Sequence, residues 1–580
     1  MINENRPPYK LEISIHSFKD RISKNCIYVD KTEYIYELID RESNCFLSRP
    51  RRFGKSLLIS TFKELFSGNK ELFKSCWIYD KIEWAQYPII HLDFLGVPYK
   101  SLGLERGLSR KLDSLADQFN IKLTGEALSE KFFQLIEILA ADKQVVVLVD
   151  EYDKPIIDYM DDIPKAIENR EILKDFYSVL KAQNHNIRFL FLTGVSKFSR
   201  ISIFSDLNHL KDLTINPRYS RMMGYTQEEI EHDFSYYIAQ WEKKNRQDRN
   251  VLFEQLKDHY NGYSWDGIHF VYNPFSILSF FDNYQFNNYW FATGSPTFLV
   301  NKLKNTPNVI DQYEKYEVDE GFFDKFNIEA LDISVLLFQT GYLTIKERKD
   351  GIFTLSYPNR EVRTSFLHYL LEGFSGKTTN ERNIVTREIK EALIHNKIDD
   401  FIDVTKILLS SIPYNIQIEA REAYYHSLIY IALQLSVIDV QAEIQTALGR
   451  CDIVVSLDRY IYIIEFKMGS AQEALDQIEK KQYYTPYLGK NKTILLLGIG
   501  LAEKERNIGD WKYKELGEIA GKTKLVTPKE DEIEAGKKEE KLRIAKQMLA
   551  DNMPLELIIK YSGLTEDEIT PRRRGPIVEP

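Results

Sequence analysis

The segment that decides the fold is Cys45-Phe-Leu-Ser-Arg-Pro-Arg-Arg-Phe-Gly54-Lys55-Ser56. Its first residues are an apolar run typical of a buried strand, and leucines and phenylalanines follow Ser56 at helical spacing. A strand, a loop ending in Gly-Lys-Ser and a helix together predict a phosphate-binding loop. In such a loop, backbone N–H groups at the helix N-terminus surround the phosphates, the lysine reaches the terminal phosphates, and the serine hydroxyl holds Mg²⁺.

One position of this loop departs from the usual GxxxxGK[ST] pattern, because the chain has Arg49 where that pattern has its first glycine. The departure leaves the geometry of the loop open. A Gly-Lys-Ser triplet alone is more often a helix start with a surface lysine than a nucleotide site, so the prediction needs a second motif. The candidate ATP-binding residues of this segment are Arg52, Gly54, Lys55 and Ser56.

The second motif is the apolar strand Val145–Val149, which is followed by Asp150 and Glu151. In a Walker B strand the aspartate orients Mg²⁺ and the glutamate polarises the attacking water. Acids often end strands for other reasons, so this motif is also weak alone. Its combination with the loop predicts an ATPase.

Three further candidates lie at or after the end of the next apolar strand, Ile187–Thr193. Thr193 ends that strand, where it could contact the γ-phosphate or the attacking water. Beyond it, Arg200 or Lys197 could supply a transition-state cation. Ordinary surface charge explains those two residues equally well.

The order of the predicted elements gives the fold class. Up to about residue 215, short apolar strands alternate with longer helical patterns, which predicts an α/β domain with a mostly parallel sheet. From about Gly224 the pattern is helical and begins with a capping box from Thr226 to Glu229. Apolar segments between residues 437 and 498 predict a second α/β or α+β unit. The predicted boundaries are 1–222 for an ATPase domain, 223–377 for a helical lid or connector, 378–521 for the second α/β domain, and 522–580 for a charged linker and helical tail.

The second α/β unit carries the D…ExK arrangement of a metal-dependent phosphodiesterase core, in Asp452, Glu465 and Lys467. If Asp458-Arg459 is a two-residue hairpin turn, residues equally far from it face each other, which places Asp452 opposite Glu465. Opposed side chains have Cβ atoms ~5 Å apart, so both carboxylates could hold one or two Mg²⁺ ions. Lys467 shares a strand face with Glu465 and could stabilise charge on the phosphate or align a water, while the metal generates the hydroxide.

The preceding helix is expected to add another acid, since Glu419, Glu422 and His426 project from roughly one face. We favour Glu422, with Glu443 on the next strand as the alternative and His426 as an accessory group. Downstream, Gln477 could orient the site or contact the DNA backbone. Each residue also has an ordinary interpretation, because Glu-x-Lys on a strand is usually surface salt-bridge chemistry and a lone histidine is usually packed or hydrogen-bonded.

These motifs together resemble a known family. SRPRRFGKSLL, Tyr28-Val-Asp-Lys31, VDEYDKPI, TGVSKFS and the NGYSWDG…YNPFSIL stretch are similar to segments of a bacterial AAA-ATPase-like family, found particularly in Bacteroidetes-type genomes, whose domain is fused to a PD-(D/E)XK nuclease. The resemblance covers roughly residues 5–300, and the arginine-bearing loop is the usual form in that family. The AxxQIExKxY segment from Ala474 to Tyr483 resembles the C-terminal motif of the nuclease domain, over about residues 415–505.

The resemblance implies an α/β multidomain protein, with a P-loop, AAA-like parallel sheet and helical lid, and a restriction-endonuclease-like α/β domain. It implies ATP and Mg²⁺, with Mn²⁺ as a substitute, and nucleic acid as the partner, DNA rather than RNA. ATP would regulate cleavage, and the relatives suggest mobile-element or phage defence. The alternative is a nucleotide-controlled switch whose C-terminal domain binds nucleic acid or a protein without cleaving. A homo-oligomer stays open, since AAA-like relatives often form rings, although no clear arginine finger is present.

Composition excludes several other classes. The chain has 580 residues, of which 43% are hydrophobic, and a net charge of -9, so it is neither disordered throughout nor a polycation that binds nucleic acid with its whole surface. Its four cysteines form no CxxC pair, which argues against zinc ribbons and disulfide frameworks. The start lacks the apolar core of a signal peptide and no run of roughly 18 apolar residues occurs, so we expect a cytoplasmic protein with no membrane span.

The C-terminal segment Ile544–Ile569 resembles the tail of transposase-associated PD-(D/E)XK proteins. Two interpretations fit it, a small helix-turn-helix and an amphipathic helix that packs on the rest of the protein. We favour the packing helix.

Overall fold

A computed structural model describes residues 9–197, 209–290, 297–304, 311–412, 421–436, 440–446, 449–502, 506–519 and 522–526. The chain divides into two compact units. Unit 1 comprises Met1–Arg382 and Ile412–Ile431, and unit 2 comprises Asn383–Ser411 and Ala432–Pro580.

Unit 1 is built on a five-stranded parallel sheet. In chain order its strands are β1 (Asn44–Ser48), β2 (Ile89–Asp93), β3 (Val145–Asp150), β4 (Ile187–Gly194) and β5 (Lys211–Asp212). They lie side by side in the order β2-β3-β4-β1-β5. Every residue of β1 and β3 is buried, which explains why these strands are continuous apolar runs, whereas burial alternates along the edge strand β2.

The sheet brings the two predicted ATPase motifs to one edge. The phosphate-loop segment follows β1, and the two acids of the second motif stand at the end of β3. Since β4 lies between β1 and β3, and all three strands are parallel, their carboxyl ends meet at the same edge.

The helices of unit 1 carry both the predicted ATPase segment and the predicted lid. They are α1 (Phe18–Ser23), α2 (Thr32–Arg41), α3 (Lys55–Phe66), α4 (Tyr99–Leu102), α5 (Leu104–Gln118), α6 (Leu128–Leu139), α7 (Lys154–Ile157), α8 (Ile163–Ala182), α9 (Gln227–Asp233), α10 (Ser235–Asn245), α11 (Arg249–Tyr260), α12 (Pro274–Asn283), α13 (Thr297–Lys304), α14 (Ile333–Thr340) and α15 (Arg360–Ser375).

The predicted capping box is confirmed at α9, where the Thr226 hydroxyl accepts a hydrogen bond from the Glu229 N–H and the Glu229 carboxylate accepts one from the Thr226 N–H. The lid region is not purely helical. It includes a small antiparallel sheet of β6 (Tyr316–Val318), β7 (Thr344–Lys349) and β8 (Ile352–Ser356), in the order β6-β8-β7.

Unit 2 contains a six-stranded mixed sheet. Its strands are β9 (Val440–Thr446), β10 (Gly449–Ser456), β11 (Tyr460–Met468), β12 (Thr493–Ala502), β13 (Asn507–Ile519) and β14 (Lys522–Val526), in the order β14-β13-β12-β11-β10-β9. Only β11 and β12 pair in parallel, because helix α19 (Ala471–Lys480) connects them. Leu475 and Ile478 of α19 belong to a hydrophobic core with Ile463 and Leu496 of these strands.

Helix α17 (Ile398–Ser410) also belongs to unit 2, while α16 (Thr379–Ile394) and α18 (Arg421–Ser436) include residues assigned to both units. Strand β13 is not among the predicted strands. Its Trp511 and Tyr513 alternate with Lys512 and Lys514, and such charged, partly exposed strands lack the continuous apolar run that marks buried ones.

Candidate functional site

The phosphate-loop segment turns at two residues with left-handed backbone. Arg52 has a φ of 71°, and Gly54, the N-cap of α3, has a φ of 87°. Glycine adopts this conformation without a steric penalty, which explains the residue at position 54. Arg49 is not among the residues with positive φ. The position at which the usual pattern has its first glycine therefore accepts a side chain without backbone strain.

The Arg49 side chain is fully buried. Its Nη1 donates hydrogen bonds to the carbonyls of Ser48 and Thr214, at 2.9 and 2.8 Å, and its guanidinium carbon lies 3.9 Å from the centroid of a Trp265 ring. Burial lowers the pKa of Arg49 to about 9, against the opposing effect of nearby Asp212. The sequence left the geometry of the loop open at Arg49. In the structure, this arginine is part of the packing around the loop.

Lys55 begins α3 and is almost fully buried. Its Nζ lies 3.2 Å from the Arg49 carbonyl oxygen, 3.3 Å from that of Pro50 and 3.8 Å from Oε1 of Glu151. The ammonium group therefore lies between the loop backbone and the acid that follows β3. A terminal phosphate with its negative charge could take the place of those carbonyl contacts.

Asp150 and Ser56 meet at the same place. The Ser56 hydroxyl donates a hydrogen bond to the Asp150 carboxylate, and burial raises the pKa of Asp150 to about 6. The next residue, Glu151, has a left-handed backbone with a φ of 53°, and its N–H donates to Oδ1 of Asp150 at 2.9 Å. Left-handed backbone is costly for a non-glycine residue and is enriched at functional sites. Four of the predicted ATPase residues are therefore grouped.

Other predicted ATPase residues have different surroundings. The hydroxyl of Thr193 donates to the Leu47 carbonyl at 2.8 Å, which links β4 to β1, and its contact with phosphate or water stays a prediction. The Arg52 guanidinium carbon lies 4.3 Å from the centroid of the Phe275 ring. Arg200 lies outside the described residues.

Lys197, the alternative transition-state cation, is a buried lysine that forms ion pairs with two carboxylates. Its ammonium lies 2.7 Å from Asp212 and 2.5 Å from Asp324. Burial alone would lower the pKa of Lys197, but the two carboxylates outweigh it and the net shift is upward. This geometry favours a structural role for Lys197.

Asp153, for which the sequence motifs predicted no role, is fully buried beside the Walker B acids. Its carboxylate accepts hydrogen bonds from the N–H groups of Val195 and Ser196, so it ties the segment after β3 to the segment after β4. Burial raises the pKa of Asp153 to about 6. The signal in the sequence was an acid placed directly before a Lys-Pro helix start.

A largely apolar cavity of about 120 Å³ opens beside the phosphate loop in unit 1. Its walls include Gly54 and Leu58 of the loop and α3, Ile13 and His16 of the N-terminal segment, and Met223. Ligand sites commonly combine such apolar walls with a few polar groups. The cavity therefore adds largely apolar space next to the candidate phosphate site.

In unit 2 the β10–β11 hairpin has the register that the turn predicted. Ile453 pairs with Ile464, and the register continues to Ser456 and Ile461. One residue beyond Ile453 and Ile464, backbone N–H groups donate instead to the carboxylates of Asp452 and Glu465. The Asp452 N–H donates to Oε2 of Glu465 at 3.3 Å, and the Phe466 N–H donates to Oδ2 of Asp452 at 2.8 Å.

Glu465 is almost fully buried and receives support from α19. The Gln477 side-chain amide donates to Oε1 of Glu465 and, at 3.3 Å, to the Tyr483 hydroxyl, while Nζ of Lys467 lies 3.7 Å from Oε1. Burial and then the neighbouring Asp452 charge raise the pKa of Glu465. Tyr483 was not among the predicted site residues, although this tyrosine ends the segment that carried the nuclease resemblance.

The additional acids that the sequence assigns to this site stay predictions. Glu422 is exposed in the first turn of α18, and the His426 ring is stacked parallel to that of Tyr430, with centroids 6.4 Å apart. Glu443 falls on β9, but its side chain lies outside the described part, as does Glu419. Within the described ranges, no three His, Cys, Asp or Glu side chains form a metal-type cluster. The part of Glu422 in a metal site stays a prediction.

Comparisons with known proteins match both of the predicted α/β domains. Residues 12–204 match a family described as a predicted AAA-ATPase, and residues 420–511 match the PD-(D/E)XK nuclease superfamily. An uncharacterized protein from the vnfD 5' region of Azotobacter chroococcum mcd 1 is 34% identical over 524 residues, which cover 88% of this chain and 99% of that protein. The chain belongs to the AAA-ATPase-like and PD-(D/E)XK fusion family.

A third family match covers the C-terminal segment of the chain. Residues 538–572 match the C-terminal helix-turn-helix domain of the Rpn/YhgA-like nuclease family. Our preference for an amphipathic packing helix there was therefore wrong, because apolar spacing along one helix does not separate a packing helix from a helix of a small domain. These residues lie outside the described structure. Of the helices that are described, none is long and apolar enough to cross a membrane.

Proposed function

We propose that unit 1 of this fusion family member binds and hydrolyses ATP, that unit 2 cleaves phosphodiester bonds of DNA with Mg²⁺, and that the state of the nucleotide controls cleavage. The observation that carries the proposal is the pair formed by the buried Glu465 and the partly buried Asp452, with Lys467 beside it. The family relationship supports nuclease and ATPase-like domains. Defence against mobile elements or phage belongs to the same proposal and rests on the resemblance alone.

In unit 1, the loop amides and Lys55 would bind the phosphates, and the apolar cavity beside Gly54 would receive the base. Asp150 and Ser56 fit Mg²⁺, because a buried carboxylate hydrogen-bonded to a serine hydroxyl offers hard oxygen ligands. Glu151 would polarise the attacking water. Because Glu151 lies close to Lys55, the residue that would activate water and the residue that would bind phosphate belong to one site.

In unit 2, the same test of fit applies to the carboxylate pair. Two neighbouring carboxylates with little solvent repel each other, which is part of why the pKa of Glu465 is raised, and a divalent cation would remove that repulsion. Asp452 and Glu465 would therefore hold Mg²⁺, which when bound lowers the pKa of water and stabilises charge on the phosphate. Gln477 orients Glu465, and Lys467 stabilises the developing negative charge.

The experiment is cleavage of linear, circular and single-stranded DNA, and of RNA, by the full chain with Mg²⁺ or Mn²⁺, with and without ATP. Lys467→Ala should abolish cleavage. Lys492→Ala is the matched control, because Lys492 lies in the same unit with its ammonium 3.2 Å from Ser456 Oγ. Lys55→Ala should change only the response to ATP.

Two outcomes would refute parts of the proposal. Equal cleavage by Lys467→Ala and Lys492→Ala would exclude the assigned site, and cleavage that ATP leaves unchanged would exclude control by the nucleotide. If protein that binds ATP cuts no substrate, the alternative of a nucleotide switch with a non-cleaving C-terminal domain gains the support.

A further inference from the structure

The NGYSWDG…YNPFSIL segment has no role in the chemistry described above, yet its aromatic residues pack against the phosphate loop. Arg49 is stacked on Trp265, as described for the loop. The Phe53 ring makes edge contacts with Tyr263 and Trp265, with centroids 4.8 and 5.3 Å apart. All these residues belong to unit 1.

The remaining loop residues have partners in the same region. Arg52 lies over the Phe275 ring, and the Trp290 indole N–H donates to the Arg51 carbonyl at 3.2 Å. Gly341 has a φ of 91°, and a Cβ there would come within 2.7 Å of the Pro50 ring. Each residue from 49 to 53 is therefore in contact with, or limited by, the chain between Tyr263 and Gly341.

We infer that Trp265, Phe275 and Trp290, which we call the aromatic clamp, are positioning residues that hold the phosphate loop in its binding conformation. The inference rests on the proposed ATP site. A loop with only one glycine, and with left-handed backbone at Arg52, keeps that shape only if its surroundings determine it. The aromatic clamp supplies those surroundings through two cation–π contacts and one hydrogen bond to the loop backbone.

The test compares four tryptophan variants of the full chain. Trp290→Phe removes the indole donor and keeps a ring, and Trp265→Leu removes the ring under Arg49. Trp241→Phe is the matched control, since Trp241 is a buried tryptophan of unit 1 that packs in a core with Phe234 and Leu256. Affinity is measured for ATP and for adenosine, and a melting curve confirms that each variant is folded.

Because the loop contacts phosphates, the two clamp variants should weaken ATP binding and leave adenosine binding unchanged. Loss of one hydrogen bond predicts a roughly 2- to 10-fold weaker ATP affinity for Trp290→Phe, and Trp265→Leu should lose at least as much. Trp265→Phe, which keeps an aromatic face, should recover part of that loss. Trp241→Phe should bind both ligands like the wild type.

The outcomes separate this inference from the proposed function. If the wild type binds no ATP, the ATP site itself is refuted, and the positioning role is refuted with it. If the wild type binds ATP and the clamp variants bind it equally well, the positioning role is refuted while the ATP site stands. Equal losses for ATP and adenosine also refute it, because a general loss of structure would then explain them.

Discussion

Glu361, the second residue of α15, is a fully buried carboxylate whose titration should limit the stability of unit 1. Its Oε1 accepts a hydrogen bond from the Trp290 N–H at 2.7 Å, and its Oε2 accepts one from the Ser276 hydroxyl at 2.8 Å. Burial raises the pKa of Glu361 from an ordinary value of 4.5 to about 7. Through Trp290, this carboxylate is one step from the backbone of the phosphate loop.

The sign follows from proton counting. Between pH 4.5 and 7 the folded protein keeps a proton on Glu361 that the unfolded chain has released, so folding stability falls as pH rises through that window. A raised pKa of this size corresponds to about 3 kcal/mol, at about 1.36 kcal/mol per pH unit. For a unit of about 400 residues, an unfolding entropy of about 2.1 cal/mol/K per residue converts this into roughly 4 °C of melting temperature.

Glu361→Gln tests this reasoning, because the amide has nearly the shape of the protonated acid. Its oxygen can accept from the Trp290 N–H, and its NH₂ group can donate to Ser276 Oγ. Melting temperatures of the full chain, measured from pH 5 to 8.5, should match those of the wild type near pH 5 and exceed them by roughly 4 °C at pH 8. Glu347→Gln, at an exposed carboxylate of β7, is the control.

The result that would refute the reasoning is a constant difference between Glu361→Gln and the wild type at every pH. Such a difference would mean that Glu361 has the same proton affinity in the folded and unfolded chains. A variant less stable than the wild type at pH 8 would show instead that the charged form is stabilised by its two hydrogen bonds.

Three further predictions each concern a single residue. Gly54→Ala should cost about 1 kcal/mol, measured by thermal unfolding, because position 54 has a φ of 87° but no atom within 4 Å of a new Cβ. Lys197→Met should destabilise unit 1 by about 3 kcal/mol, because it leaves Asp212 without its ion-pair partner. ATP turnover per folded molecule should persist, because the ion pairs of Lys197 favour a structural role; a loss of turnover would make Lys197 the transition-state cation. Because the pKa of Glu465 is raised, Mg²⁺ binding to unit 2 should release a proton and strengthen as pH rises, which titration calorimetry in buffers of different ionisation enthalpy would detect.

Much of the fold could be predicted because its strands obey simple patterns. Buried parallel strands such as β3 are uninterrupted apolar runs, and the turn at residues 458–459 fixed the pairing of Ile453 with Ile464. Strand β13 escaped prediction because its lysines alternate with aromatic residues on a partly exposed surface. The roles of Asp153 and Trp290 also escaped, since they depend on partners that are 42 and 239 residues away along the chain.

The departure at Arg49 shows how such distant partners change the meaning of a motif. Judged by the loop sequence alone, an arginine in place of a glycine weakens the prediction of a phosphate site. In the folded chain, the sharp turns fall at Arg52 and Gly54, so position 49 does not need glycine. Its guanidinium is instead engaged by backbone carbonyls and by Trp265. Arg49 of the loop and Trp265 of the NGYSWDG segment therefore form one contact. The arginine at position 49 can be understood only together with this tryptophan.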